Sequence, residues 1–390
     1  MKNASRLYDA LLSFVGQCAW ADQRHAYVLV WMVIGVIPSG SMNLTRWLVH
    51  VQTPARDAQS TQRRFSRWLH NTRIHPTHLY GSLIQSALAQ WCDAVLYLSL
   101  DTTMLWDRFC VQSLAVVYRG RAIPVIWRVL EHGSSSVKFM VYQDLLHKAA
   151  RLLPSGVKVI LLADRGFGDH QLLRHVRQTL GWHYRVRLKS NSWVWRVGKG
   201  WQQLKQFHLG CGSALMLHTV NLYKHNSLDG VHLALARENH QGTLWLIASS
   251  EPTTLQTLRE YGLRFDIEEN FLDDKSNGFE WENSGLRCAA ALSRLCLVGA
   301  VATLFLTLQG TAVVAAKQRR CVDPHWFRGM SYFKIGWNWV KTSATRGWKL
   351  FSLHALTSNH DPDPAKASHS QYEQQHYLLE FQVHTFDYAS

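Results

Sequence analysis

Three carboxylates in this chain fall where a phosphoryl-transfer site would need them. Asp101 closes the apolar run VLYLSLD (95–101), and Asp164 closes VKVILLAD (157–164). Both runs read as strands, and open α/β sheets place their chemistry at such strand ends. The third acid, Glu268, lies in YGLRFDIEENFLDDK, Tyr261 to Lys275. Wound as a helix at about 100° per residue, that stretch gathers Tyr261, Arg264, Glu268 and Lys275 into an arc of roughly 60°. Carboxylate oxygens suit Mg²⁺, which favours octahedral oxygen ligation and keeps several waters. Two such ions serve an in-line displacement by activating the attacking water or 3′-hydroxyl and stabilising the leaving oxygen. Arg264 would then grip phosphate with its planar fork and Lys275 as a point charge. Each feature also has an ordinary reading. A strand-terminal Asp is often a turn or cap residue, and an amphipathic helix usually turns its charges to water.

The surrounding elements decide whether these residues can meet. LAVVYRG (114–120) and AIPVIWRV (122–129) predict an antiparallel pair joined by a tight Gly-Arg turn, with Pro124 demanding an edge strand or a bulge. A helix over 135–153 ends at Pro154-Ser-Gly, another begins near Asp169, and HYRVRLKS (183–190) is a further strand. Three strands, helix, strand, helix, strand describes an α/β fold: a mixed sheet with a hairpin on one side, flanked by helices. Residues 191 to about 250 read as a β-rich insertion rather than a crossover helix. Trp281 to Ala316 is expected as one or two largely buried helices. The uncharged part from Leu295 carries Thr303, Thr307, Gln309, Gly310 and Thr311, which favours a core helix over a membrane span.

The formal net charge of +15 and a pI near 9.6 point to a polyanionic partner, nucleic acid before an anionic membrane surface. Residues 1 to about 90 read as helical and basic. In STQRRFSRWLH (60–70), Ser60 or Thr61 could cap a helix with Phe65 and Leu69 inward and Arg63, Arg64 and Arg67 outward, a face suited to DNA phosphates. The seven cysteines show no zinc-like spacing and read as free, mostly buried thiols in a reducing compartment. No signal peptide is expected from MKNASRLYDALLSF. The expected organisation is an N-terminal helical DNA-binding domain (1–90), a first part of the core (91–190), the insertion (191–252) and a second part carrying Glu268 (253–318). A basic aromatic helical region (319–357) and a polar, loosely ordered tail (358–390) follow.

LSLDTT (98–103), LLADRGF (161–167) and Y-x2-R-x3-E-x6-K (261–275) resemble the three blocks of DDE insertion-sequence transposases, in particular the cut-and-paste group marked by the YREK motif. WLIASSEP (245–252) is similar to the strand preceding that motif in hairpin-forming members. The resemblance spans roughly residues 95 to 310. It implies an RNase H-like fold with Asp101, Asp164 and Glu268 as the metal-binding triad, served by Mg²⁺ or by Mn²⁺ as a substitute. It implies that Tyr261, Arg264 and Lys275 contact the transposon-end backbone and that Trp245 stacks on a flipped base. Thr102 and Arg165 stand next to the acids and could orient them. Asp169 is an alternative to Asp164 that reads better as a helix cap, and Glu269 lies about 100° from Glu268 on the wheel. The implied activity is binding of double-stranded DNA at terminal inverted repeats, synapsis as a homodimer, cleavage through hairpin ends and joining of 3′ ends to target DNA. The implied setting is the bacterial cytoplasm and nucleoid, with no membrane partner. Two other readings stay open: a transposase-derived DNA-binding regulator without strand transfer, and a stand-alone RNase H-like nuclease.

Overall fold

The computed structural model describes residues 2–92, 94–135, 137–239, 242–264, 279–324, 330–359, 361–362 and 381–388, with side chains from residue 6 onward. Five helices come first: α1 (Lys2–Val15), α2 (Gln23–Ser39), α3 (Leu44–Trp47), α4 (Ala58–Leu69) and α5 (Pro76–Leu88). α2 starts where the Asp22 carboxylate accepts the Arg24 N–H, and it stops at Gly40, whose φ of 63° makes the left-handed cap. In α4, Phe65 and Leu69 are buried while Arg63 and Arg67 are exposed and Arg64 is partly so. The N-cap position of α4 is Asp57, three residues before the expected Ser60. Thr61 instead is buried and shares a hydrogen bond with Thr53.

The long apolar segment is α9 (Ala289–Ala315), 27 residues and about 40 Å of helix. It has the length and hydropathy of a membrane span, yet 83% of its most apolar window is buried within the protein. It packs on α2, α4, α5 and strand β3 (Arg121–Glu131), as a core helix does. Its buried Arg294 donates to the Leu69 and Ile74 carbonyls, satisfying backbone freed where α4 ends. Gln309 exchanges two hydrogen bonds with the Phe351 backbone. α10 (Tyr332–Arg346) crosses α9 with two glycines at the contact. A Cβ on Gly310 would lie 1.8 Å from the Tyr332 carbonyl oxygen, and one on Gly336 would lie 1.7 Å from that of Leu306. α1 to α5, α6 (Phe139–Ala150), α7 (His170–Arg174), α9, α10 and strands across the sheet share a continuous apolar core.

Among the described residues, one mixed sheet of eleven strands carries the rest, in the order β3-β2-β1-β4-β5-β10-β9-β8-β6-β7, with β11 on β8. β1 (Leu96–Leu105), β4 (Val159–Ala163) and β5 (His183–Arg187) run parallel, and β2 (Phe109–Tyr118) and β3 are antiparallel beside them. This is the mixed sheet with a hairpin on one side that the strand pattern predicts. Arg119 and Gly120, with φ of 48° and 77°, form the β2–β3 turn. Pro124 meets both of its options at once, since β3 is the edge strand and the register slips between Leu114 and Ala115, opposite Pro124. Helices cover both faces. Trp127, on the face it shares with Ser113 and Asp101, donates to the Ser293 carbonyl of α9. Arg128, on the other face, reaches Asp144 of α6 (Phe139–Ala150).

The stretch after β5 is β-rich, as expected: β6 (Trp193–Arg196), β7 (Gly200–Gln203), β8 (Ser213–Leu222), β9 (Leu228–Arg237) and β10 (Leu244–Ser249). β10 pairs antiparallel with β5, so the insertion extends the same sheet. Two expectations need correcting. Gln382–Asp387, in the tail read as loosely ordered, forms β11 and pairs parallel with β8, supplying backbone partners that composition does not reveal. Of the seven free cysteines only Cys18, Cys110 and Cys296 are buried, and Cys92, Cys211, Cys288 and Cys321 are exposed.

Candidate active site

Strand order and register bring Asp101 and Asp164 together. β1 and β4 run parallel with Leu100 opposite Ala163, so the next residue in each segment is an acid: Asp101 inside β1, which runs on to Leu105 rather than ending at the acid as expected, and Asp164 just past the end of β4. Adjacent strands lie about 4.8 Å apart, and paired residues point to one face. β5 lies on the other side of β4 with Val186 opposite Ala163, which brings Arg187 alongside Asp164. Tyr97, Asp101, Asp164, Arg185 and Arg187 therefore share a face of the sheet.

Local hydrogen bonds orient the two acids. The Asp101 Oδ1 accepts the Thr102 N–H at 2.7 Å, and the side chain is largely buried. Asp164 follows the last residue of β4 and caps the short 3₁₀ turn Arg165–Phe167 by accepting the Gly166 N–H. A Cβ on Gly166 would sit 2.9 Å from Asp164 Oδ1, so a larger residue there would turn that carboxylate. Asp169 is the N-cap of α7 (His170–Arg174), accepting the Gln171 N–H at 2.8 Å, which accounts for it without a metal.

The motif helix is α8 (Leu255–Gly262), started by a reciprocal pair of hydrogen bonds between Thr254 and Thr257. Its Leu258 and Tyr261 pack on Ala214, Met216, Ala234, Ala236 and Ile247 of the insertion strands. Beyond Gly262 the chain turns once more, with the Arg264 N–H on the Tyr261 carbonyl at 3.0 Å. Arg264 is buried and bridges two site residues. Its Nε donates to the Tyr261 hydroxyl at 3.2 Å and its Nη1 to Asp101 Oδ2 at 3.4 Å. Burial pushes the Tyr261 phenol up, and the Arg264 guanidinium partly offsets this. Trp245 on β10 meets Tyr261 edge-on at 5.7 Å between ring centres, and its indole Nε1 donates to Glu238 Oε1 at 2.8 Å.

Five of the site residues expected from sequence thus converge: Asp101, Asp164, Tyr261, Arg264 and Trp245. Glu268 and Lys275, half of the stripe, lie outside the described residues. Arg63, Arg64 and Arg67 sit on α4, whose main packing partners are α2, α3 and α9. Sequence reasoning misses Arg185 and Arg187, although their alternation in HYRVRLKS puts both on one face of β5. It also misses Glu260, the residue before the motif tyrosine.

Asp101 and Asp164 are hard oxygen donors on one face, which is the donor type a divalent ion of the Mg²⁺ class takes. Among the described residues no third carboxylate, histidine or cysteine completes a metal-binding group with them. Two acids on neighbouring strands of a mixed sheet, faced by an arginine, have the residue chemistry that metal-dependent phosphoryl transfer would need. The transposase DDE domain model matches residues 106–305, more than half of the 390-residue chain, and this chain belongs to that family. Its members are metal-dependent DNA transposases, and this chain is one of these DNA-cleaving enzymes. The match includes Asp164, Trp245, Tyr261, Arg264 and Glu268 and begins just after Asp101. Among solved structures, a piggyBac transposase in a synaptic complex with hairpin DNA aligns with a TM-score of 0.45 and 10% identity, covering 89% of this chain and 79% of that one. No curated protein matches the chain significantly in sequence.

Proposed function

We propose that Asp101, Asp164 and Glu268 form the catalytic triad of a cut-and-paste, insertion-sequence transposase of the YREK group. The observation carrying this is the register that sets Asp101 and Asp164 side by side with Arg264 reaching Asp101. The three acids would hold Mg²⁺, with Mn²⁺ as a substitute. When bound, such ions supply Lewis-acid activation of the attacking oxygen and charge relief at the leaving one.

Arg264 binds the phosphate beside the scissile bond while its Nε stays on Tyr261, and Lys275 adds a second cation. Trp245 offers its ring to a nucleotide extruded as a hairpin end forms. Arg63, Arg64 and Arg67, on the N-terminal helical segment 1–90, hold duplex phosphates of the terminal inverted repeat, and two copies synapse two ends. The 3′ ends are then joined to target DNA. This activity belongs at the bacterial nucleoid.

Footprinting on the DNA flanking the coding region would define the end sequence. A duplex carrying that end should be nicked with Mg²⁺, while Asp101→Asn, Asp164→Asn and Glu268→Gln should bind it and leave it intact. Nicking at the parent rate by all three variants would rule out the triad.

A further inference from the structure

Among the described residues, two hydrogen bonds join α8 and the turn after it to β1, and only one of them comes from a motif residue. Arg264 reaches Asp101. One helical turn earlier, Glu260 Oε1 accepts the Tyr97 hydroxyl at 3.2 Å, and Tyr97 stands four residues before Asp101 on the same face of β1. Four residues make about 6 Å of helix but about 13 Å of strand, so Arg264 must extend along the strand from a fixed base. Glu260 supplies that base.

Its other oxygen, Oε2, accepts Arg185 Nε at 2.7 Å. Arg185 is buried and donates further to the Tyr184 carbonyl, Ser249 Oγ at 3.1 Å and Glu251 Oε2 at 2.9 Å. Glu251 is held in turn by Lys158, which lies just before β4. One guanidinium therefore ties α8 to β5 and to the end of β10, while Glu260 passes the tie to β1. Burial, then the Glu260 carboxylate, pushes the Tyr97 phenol up, so that it remains a donor.

We propose that Glu260, anchored by Arg185 and Tyr97, is a positioning residue that sets the reach of Arg264 to Asp101. It faces the sheet, and its carboxylate is shared between two donors. The proposal rests on the reading of Asp101 and Arg264 as site residues, and its test separates the two.

The test is a double-variant cycle on the full chain, with single-turnover nicking of the end duplex read for the parent, Glu260→Ala, Arg264→Ala and the double variant. Binding of the same duplex is measured in EDTA. A positioning role predicts that Glu260→Ala binds within about twofold of the parent yet nicks about 10–100-fold more slowly, the scale of a misplaced group. The double variant should then be no slower than Arg264→Ala alone, because Glu260 acts through Arg264. Glu260→Gln, which keeps the shape and one acceptor, should recover most of the rate. Tyr97→Phe removes a single hydroxyl without exposing a charge, so it carries the test if Glu260→Ala folds poorly, and it should slow nicking about two- to tenfold. Losses that multiply in the double variant, or parent-like nicking by both Glu260→Ala and Tyr97→Phe, would overturn the proposal. Parent-like nicking by Arg264→Ala would instead refute the site reading, and the positioning role with it.

Discussion

Arg264 Nη1 lies 3.4 Å from Asp101 Oδ2 while its Nε, on the other side of the same guanidinium, donates to the Tyr261 hydroxyl at 3.2 Å. Both contacts need the planar fork, since a lysine ammonium at the same place would reach one partner at a time. Arg264→Lys should therefore keep the charge and lose the geometry. We expect nicking to fall about 10–100-fold with duplex binding little changed. Parent-like turnover by Arg264→Lys would show that charge alone suffices.

Gly166 should be intolerant in a way that stability does not report. An added Cβ would meet Asp164 Oδ1 at 2.9 Å, in a half-exposed turn rather than in the core. Gly166→Ala is expected to turn the carboxylate and slow nicking by about tenfold or more, with an unchanged melting temperature. A stable and fully active variant would count against the orientation assigned to Asp164.

Trp245 separates packing from base stacking. Its ring meets Tyr261 edge-on and its indole nitrogen is bonded to Glu238. Trp245→Phe keeps an aromatic face and loses the Glu238 bond, so it should still yield covalently closed ends on denaturing gels. Trp245→Ala should nick normally and accumulate fewer closed ends. Equal hairpin yield from both variants would remove the stacking role.

The α9–α10 crossing predicts a stability effect with no direct catalytic component. With carbonyl oxygens less than 2 Å from either added Cβ, Gly310→Ala or Gly336→Ala must separate the helices. The cost should be roughly 3 kcal/mol, the upper end of overpacking penalties. Urea titration would show it as a lowered midpoint, and an unchanged midpoint would contradict the close approach.

Acid should weaken the fold through its histidines. Burial holds His175, His183 and His232 below the ordinary histidine range. Their neutral forms are favoured when folded, so this contribution is complete above the ordinary value of about 6.5 and is lost as pH falls below it. Glu251 adds a second, lower step. Burial alone would raise it, but hydrogen bonds from Lys158 and Arg185 outweigh that and hold it low. Its share is lost only below about pH 4.3. Thermal melts from pH 7.5 to 5 should show a falling midpoint, and a flat profile would contradict the lowered histidines.

The acids were legible because chemistry and local structure coincide there. An apolar run that stops at a carboxylate is visible in the sequence, and Asp164 does follow the last residue of β4, whereas Asp101 lies inside β1, which continues to Leu105 because Thr102 to Leu105 keep pairing with β2. The β2–β3 hairpin and the core nature of α9 were legible for similar reasons. Turn residues and buried polar side chains mark themselves within a few positions. Cap choice at α4 was not, because Asp57, Ser60 and Thr61 are all competent and only packing buried Thr61.

By itself the sequence determined which residues could do phosphoryl chemistry, the alternation of strands and helices that carries them, and the basic character that suits DNA. Only the tertiary structure decided that β4 lies beside β1 in the register that pairs the two acids. It also decided that the insertion continues the same sheet and that Glu260, Arg185 and Tyr97 tie the motif helix to it. The reason is physical. Residue type and spacing act within a few positions along the chain, whereas strand order, register and buried ion pairs are settled by contacts between segments far apart in sequence, which no local pattern encodes.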